Sequence, residues 1–251
     1  MNRPNNASEY RKRGSRLPEI SLDGPICTIK DLRWTRFPDP PKGRVVEWHD
    51  KTFDIRELTN VYLAVNWWTR VQAFAHTMLC FEFSDGQVIT ASAEIRPRVG
   101  ESFGLLKGLR KTFEVYFSWS TESDALLSRA YLNERVHLLE AVISHQAALR
   151  LFNACVQRTQ ELHRDDVEWY HTVRNSCTTN IFDIAAQAVS DRFDRPAWRN
   201  VPGYAPRYLA KHGALKMQGD YKQTLAATDV SDRIREIGDV DDFSQQLRSR
   251  S

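Results

Sequence analysis

His76-Thr77-Met78-Leu79-Cys80-Phe81-Glu82-Phe83, Ser84-Asp85-Gly86 and Gln87-Val88-Ile89-Thr90-Ala91-Ser92-Ala93-Glu94 read as two strands and the loop between them. Both flanks are rich in β-forming residues, and the three residues between them suit a loop with Gly86 in the left-handed position. In that register residue 83 faces 87, so partners' numbers sum to 170 and His76 falls opposite Glu94. Directly opposed residues have Cβ atoms roughly 4.5–5.5 Å apart, close enough for a carboxylate to orient an imidazole. A two-residue turn would shift the register by one and send the two side chains to opposite faces.

A histidine so placed needs a nucleophile. Cys177 lies in Asn175-Ser176-Cys177-Thr178-Thr179-Asn180, just ahead of the apolar-periodic Ile181, Ile184, Ala185, Ala188 and Val189. The spacing predicts a helix to about Arg192 that begins at the thiol. Unpaired N–H groups and the positive end of the helix dipole favour a thiolate there. With His76 as base and Glu94 as orienter, the pattern points to nucleophilic cysteine chemistry. His171, six residues before Cys177, is the rival base; its Trp169-Tyr170-His171 cluster reads more simply as packing of the approach loop or lining of a groove. Glu94 could equally be a strand carboxylate paired with Arg96 or Arg98.

These segments resemble the Lnb N-terminal periplasmic domain family. The resemblance is carried by Ala75-His76-Thr77 leading into the hairpin, Ser92-Ala93-Glu94-Ile95-Arg96 on its return strand, Phe113-Glu114-Val115-Tyr116, Cys177-Thr178-Thr179 and the tail Asp242-Phe243-Ser244. It runs from about Trp34 to about Arg248. The chain departs from the family pattern where Ser176 separates Asn175 from Cys177, and where Thr28-Ile29-Lys30-Asp31-Leu32-Arg33-Trp34 only loosely matches an entry strand that usually carries an Asn-x-Arg element. The resemblance implies a papain-like α+β domain of the permuted NlpC type, with histidine before cysteine and an antiparallel sheet packed with helices. It also implies Cys177 as nucleophile, His76 as base and Glu94 as a third member. The implied activity is acyl transfer through a thioester in the bacterial envelope, from a lipid to a lipoprotein amine as in the branch associated with N-acylation of lipoproteins; a phospholipid or lipoprotein substrate and no cofactor are expected.

The remaining chain is read from pattern. Ile26–Trp48 is extended, broken by Pro38, Pro40 and Pro41; Asp54–Trp68 has Ile55, Leu58, Tyr62 and Val65 near helical spacing and is expected to be a helix. Glu101–Lys111 reads as a short crossing. Phe113–Trp119, Ala125–Leu132 and Arg135–Val142 are expected strands, with Thr121–Asp124 and Asn133-Glu134 as connections. Ser144 caps a helix to about Leu162, and Pro206–His212 is a short helix ended by Gly213. Asp229–Arg250 is polar and is read as a surface helix or a disordered tail. Strands between helices indicate one α+β domain over residues 26–251, with a C-terminal extension.

Residues 1–25 are polar and basic, with Arg11-Lys12-Arg13, and are expected to be a flexible arm; they hold no apolar run suited to a signal peptide. Such an arm could also be drawn to anionic headgroups at a membrane surface. The resemblance places the protein in the periplasm or envelope, with an export signal or anchor upstream of Met1; the sequence itself leaves the cytoplasm open. No apolar stretch of about 18 residues is present to span a bilayer.

The 251 residues are 41% apolar, and 35 basic against 32 acidic residues leave a net charge of +3, too small a surplus to indicate nucleic acid. Cys80 and Cys155 fall on apolar patterns and read as inert small hydrophobes, and four cysteines in a chain this long do not form a disulfide framework. Metal binding is not expected: His76 and Cys80 are roughly 13 Å apart along a strand, and His163, Asp165, Asp166 and His171 lack a ligand spacing. Gly100, Gly104 and Gly108 are not followed by the lysine and hydroxyl of a phosphate loop. Two further functions compete with acyl transfer: a cysteine peptidase or amidase acting on peptidoglycan or peptide, and a catalytically silent module that holds lipid or peptide.

Overall fold

In the computed structural model the hairpin has the expected register: Leu79 pairs with Ala91, Cys80 with Thr90, Phe81 with Ile89 and Glu82 with Val88. Phe83 N–H donates to Gln87 O and Gly86 N–H to Phe83 O, both at 2.9 Å. Gly86 has φ +81°, which a Cβ would strain. The structure describes residues 9–69, 71, 73–101, 112–164, 167–172, 174–189 and 201–249.

Eight strands form one sheet: β1 (Glu19–Asp23), β2 (Ile26–Arg36), β3 (Val45–Asp54), β4 (Leu58–Trp67), β5 (Ala75–Phe83), β6 (Val88–Arg96), β7 (Glu114–Thr121) and β8 (Arg135–Glu140). The order is β1-β2-β7-β6-β5-β4-β8, with β3 paired to β2 off that path. β2 and β7 run parallel and every other named pair is antiparallel. The helices are α1 (Glu122–Ala130), α2 (His145–Arg164), α3 (Cys177–Val189), α4 (Ala205–Lys211), α5 (Tyr221–Ala227), α6 (Ser231–Ile237) and α7 (Phe243–Arg248). The architecture is α+β, with a mixed, mostly antiparallel sheet packed with helices.

Helices cover both faces. Odd-numbered residues of β5 and β7, among them Leu79, Phe81, Val115, Phe117 and Trp119, join Leu151, Phe152, Cys155 and Val156 of α2 and Ile181 and Ile184 of α3 in the larger core. Trp119 Nε1–H donates to Thr159 Oγ1 at 2.8 Å, which satisfies the indole inside that core. Even-numbered residues face the other way: Met78, Cys80 and Val88 pack with Ala125, Leu126 and Leu127 of α1 and with Ile234, Phe243 and Leu247 of α6 and α7. Further along β6 and β7 this second face turns polar, with Ser92, Glu94, Tyr116, Ser118 and Ser120.

Several expectations are corrected here. Asp54–Trp68 is not a helix; a short 3-10 turn at Ile55–Glu57 leads into central strand β4, between β5 and β8. Burial on both faces removes the alternation that marks a strand, so the apolar spacing mimicked a helix. Ala125–Leu132 is not a strand, because Thr121 caps α1: its side chain accepts from Asp124 N–H at 3.2 Å, and Glu122 and Asp124 occupy the first turn. The tail beyond Asp229 forms α6 and α7, seated in the second core.

The arm expected over residues 1–25 is ordered structure from residue 9 onward. Tyr10, Leu17 and Ile20 are buried, β1 pairs with β2, and Arg11 N–H donates to Pro97 O. The basic run reads as solvated because sequence does not reveal buried carboxylates that recruit an arginine; Arg13 meets one in Asp124 at 2.8 Å. The crossing expected at Glu101–Lys111 lies, beyond its first residue, outside the described residues.

Phe152 is fully buried and touches the rings of Phe53, Phe81, Phe83 and Trp119. Phe152→Ala is expected to cost about 3–5 kcal/mol, read as a lower denaturant midpoint with an unchanged slope.

Candidate functional site

Helix α3 begins at Cys177, which places the thiol in its first turn. Ser176 caps it. Its Oγ accepts from Thr179 N–H at 3.4 Å, and Thr179 Oγ1 accepts from Ser176 N–H at 2.7 Å, a reciprocal arrangement like a capping box with threonine in the third position. The serine that separates Asn175 from Cys177 therefore shapes the helix start. The approach loop is tied down by Arg158 of α2, which grips Glu168 through two 2.7 Å bonds and donates to Asn180 Oδ1 at 2.9 Å. Asn180 in turn donates to Asn175 Oδ1 and Ser176 O.

The first turn of α3 is pinned to β5 by a buried hydrogen bond of 3.1 Å between the hydroxyls of Thr77 and Thr178, each adjacent in sequence to a member of the Cys177–His76 pair. Burial raises the thiol's pKa, but the His76 imidazole, through its charge and a hydrogen bond, outweighs it. Bonds from the Thr77 backbone and the Thr178 hydroxyl add to this, and the thiol is pushed down to about 6. The contrast within the chain is large: burial alone pushes Cys27 up to about 12 and raises Cys155, and burial together with the Glu122 charge pushes Cys80 up to about 12. All four cysteines are free and buried, and Cys177 alone among them is poised to ionise near neutrality.

His76 Nε2 is held at 2.9 Å by Ser92 Oγ, on the return strand. This partner escaped the sequence reading. Continuing the 79–91 register puts Glu94 opposite His76, and Ser92 is the diagonal neighbour on the same face. Glu94 is close enough for the imidazole's charge to act on it, but its hydrogen bonds go elsewhere: it accepts from Arg33 at 3.2 and 3.3 Å, and from Tyr116 Oη and Ser118 Oγ, each at 3.2 Å.

Arg33 is the centre of that second cluster. It is 3% exposed and also bonds both oxygens of Asp124, Arg13 O and Tyr116 Oη. Asp124 further accepts from Arg13 and Thr35. Burial would raise both carboxyls, but Arg33 and Arg13 hold Glu94 and Asp124 below the usual carboxylate range. In sequence Arg33 is marked only as part of the segment 28–34 that loosely matches the family's entry strand, and nothing there pairs it with Glu94 or Asp124.

A cavity of about 370 Å³ joins these groups. Its wall includes His76, Glu94, Arg129, Tyr170 and Cys177, and otherwise largely hydrocarbon from Trp68, Phe74, Ile95, Val201 and Pro202. Burial raises the pKa of the Tyr170 phenol, and the Cys177 charge adds to that. His171 is not part of the cavity wall; its backbone closes a turn with Asn175. Among the described residues no group of His, Cys, Asp and Glu is arranged to hold a metal ion, and no helix is long and apolar enough to cross a membrane.

A thiol in the first turn of a helix, set against a strand histidine on an α+β scaffold, defines a Cys–His site. The family model of the Lnb N-terminal periplasmic domain matches residues 44–202, and the chain belongs to that family of periplasmic domains. No curated protein and no solved structure matches the chain.

Alkylation of Cys177 by iodoacetamide should rise with pH through about 6 as the thiolate forms. In His76→Ala the midpoint should move up past the ordinary thiol value of about 8.5, because burial is then no longer outweighed by the imidazole. Arg33→Met leaves two carboxylates short of a counter-charge and is expected to cost about 3–5 kcal/mol, measured by denaturant unfolding at neutral pH. The stabilisation from Glu94 and Asp124 is present above their unfolded pKa values of about 4 and is lost as pH falls through their lower folded values. Wild-type stability should therefore drop in acid, and that drop should be smaller in Arg33→Met.

Proposed function

We propose that the protein is a cysteine-nucleophile acyltransferase of the cell envelope, working through a thioester on Cys177. The observation that carries this reading is an activated thiol–imidazole pair opening onto a cavity walled mainly by hydrocarbon. An apolar wall favours an acyl chain as substrate and limits water, the competing acceptor. A peptidase groove would need polar groups along its length to satisfy a peptide backbone. The histidine-before-cysteine order on strand and helix is the arrangement of a permuted papain-like domain of the NlpC type, and we assign the fold to that group.

In the first half-reaction the Cys177 thiolate attacks an ester carbonyl of the donor. A backbone N–H at the start of α3 stabilises the oxyanion. The C–O bond breaks, and the leaving alkoxide takes a proton from the His76 imidazolium. In the second, an amine attacks the thioester, His76 accepts the amine's proton, and the C–S bond breaks to give an amide and the thiolate. His76 Nδ1 exchanges the proton, since Ser92 holds Nε2. Glu94 contributes its negative charge to the imidazolium state. A phospholipid donor and a lipoprotein amine acceptor fit this chemistry and the family's envelope location.

Intact-mass spectrometry after mixing the protein with phospholipid vesicles tests the reading. A gain of one acyl chain mapped to Cys177 is expected, absent in Cys177→Ala and slowed about 10²–10⁴-fold in His76→Ala. Lack of any adduct, together with slow and unselective alkylation of Cys177, would instead identify a silent binding module.

A further inference from the structure

Arg129 lies near the C-terminal end of α1, and its side chain forms part of the wall of the Cys177 cavity. Among the described residues its guanidinium makes no hydrogen bond and no ion pair. The nearby carboxylates are already engaged. Glu94 accepts from Arg33, Tyr116 and Ser118, and Asp124 accepts from Arg33, Arg13 and Thr35. Arg13 and Arg33 balance those two charges, and Arg129 is the surplus cation of the cluster. It is close enough to lower the pKa of Glu94 through space.

A half-buried cation beside a hydrocarbon wall is costly unless something pairs with it, and the low-dielectric surroundings strengthen any pairing that forms. The planar guanidinium fork matches two oxygens of a phosphate or a carboxylate. We propose that Arg129 is the anion-recognition residue of this cavity, and that the acyl donor carries an oxyanion close to its reacting ester. The assignment rests on the acyl-transfer reading above and narrows the donor to an anionic amphiphile. Its hydrocarbon packs on Trp68, Phe74 and Ile95, its oxyanion pairs with Arg129, and its ester carbonyl meets Cys177.

Calorimetric titration of the full chain in a Cys177→Ala background separates binding from turnover. The probes are dihexanoyl phosphatidic acid, dihexanoylglycerol hemisuccinate and neutral dihexanoylglycerol, which share acyl chains and differ in the oxyanion. At least one anionic probe should bind about tenfold or more tightly than the neutral diester, as a charge-assisted bond predicts. The stronger of the two identifies phosphate or carboxylate as the natural group. Adding Arg129→Gln should erase the margin and Arg129→Lys should keep part of it, with thermal melting confirming that both variants fold. Equal binding of all three probes, a margin that survives in Arg129→Gln, or no binding of any probe would overturn the proposal. Iodoacetamide labelling of Cys177 in the otherwise wild-type chain reports separately on the nucleophile: fast labelling with failed titrations condemns the Arg129 assignment alone, and slow labelling condemns the acyl-transfer reading.

Discussion

The buried Arg33 guanidinium is the constraint on which the site depends. It reaches Asp124 at the start of α1 and Glu94 on β6 at once, and so ties β2, β6 and α1 together. A charge this deep is costly, and it is tolerated because its donors meet carboxylate, phenol and carbonyl oxygens. Removing Arg33 would leave two buried carboxylates with Arg13, which pairs with Asp124, as their remaining close cation. The same network keeps Glu94 ionised two residues beyond the serine that holds His76. Structural clamp and site electrostatics are therefore one system.

The polar layer also explains why β6 and β7 alternate as they do. Phe117 and Trp119 enter the hydrocarbon core on one face, while Ser118 and Ser120 turn to the other, where small hydroxyls leave room for arginine side chains. Along this stretch of β6 and β7 the sheet separates two media, one hydrocarbon and one ionic. The cavity opens at the end of the sheet where β5 begins and β6 finishes, so it borrows an apolar wall from one and charges from the other.

Much of this was legible in sequence, for definite reasons. The Ser84-Asp85-Gly86 loop fixed the hairpin register because glycine alone adopts its left-handed position without strain, and that register brought Ser92 and Glu94 to the face of His76. Cys177 stood out because a helix start is a local property of Ser176 and its neighbours. What escaped was non-local. Arg13, Arg33 and Asp124 are separated by up to 111 positions, and no periodicity links them. Strand β4 reads as a helix in sequence for a related cause: its burial on both sides comes from tertiary neighbours, and its spacing alone does not distinguish it from a helix. Ser92 is visible in sequence as a residue but not as a partner, because the register sets Glu94 directly opposite His76 and Ser92 only diagonally.

The segment that precedes residue 44 lies outside the matched region of the family, yet it supplies both cations that neutralise the ionic layer. The catalytic-looking residues and the residues that make their electrostatic surroundings thus belong to different stretches of chain. A fragment trimmed to 44–202 would retain Cys177, His76 and Glu94 but lose Arg13 and Arg33, along with β1 and β2 and the parallel bridge to β7. Glu94 and Asp124 would then be forced either to take up protons or to swell the interior with water. Modularity as judged by residue similarity and modularity as judged by charge balance do not coincide in this protein, and the second sets how small a working unit can be.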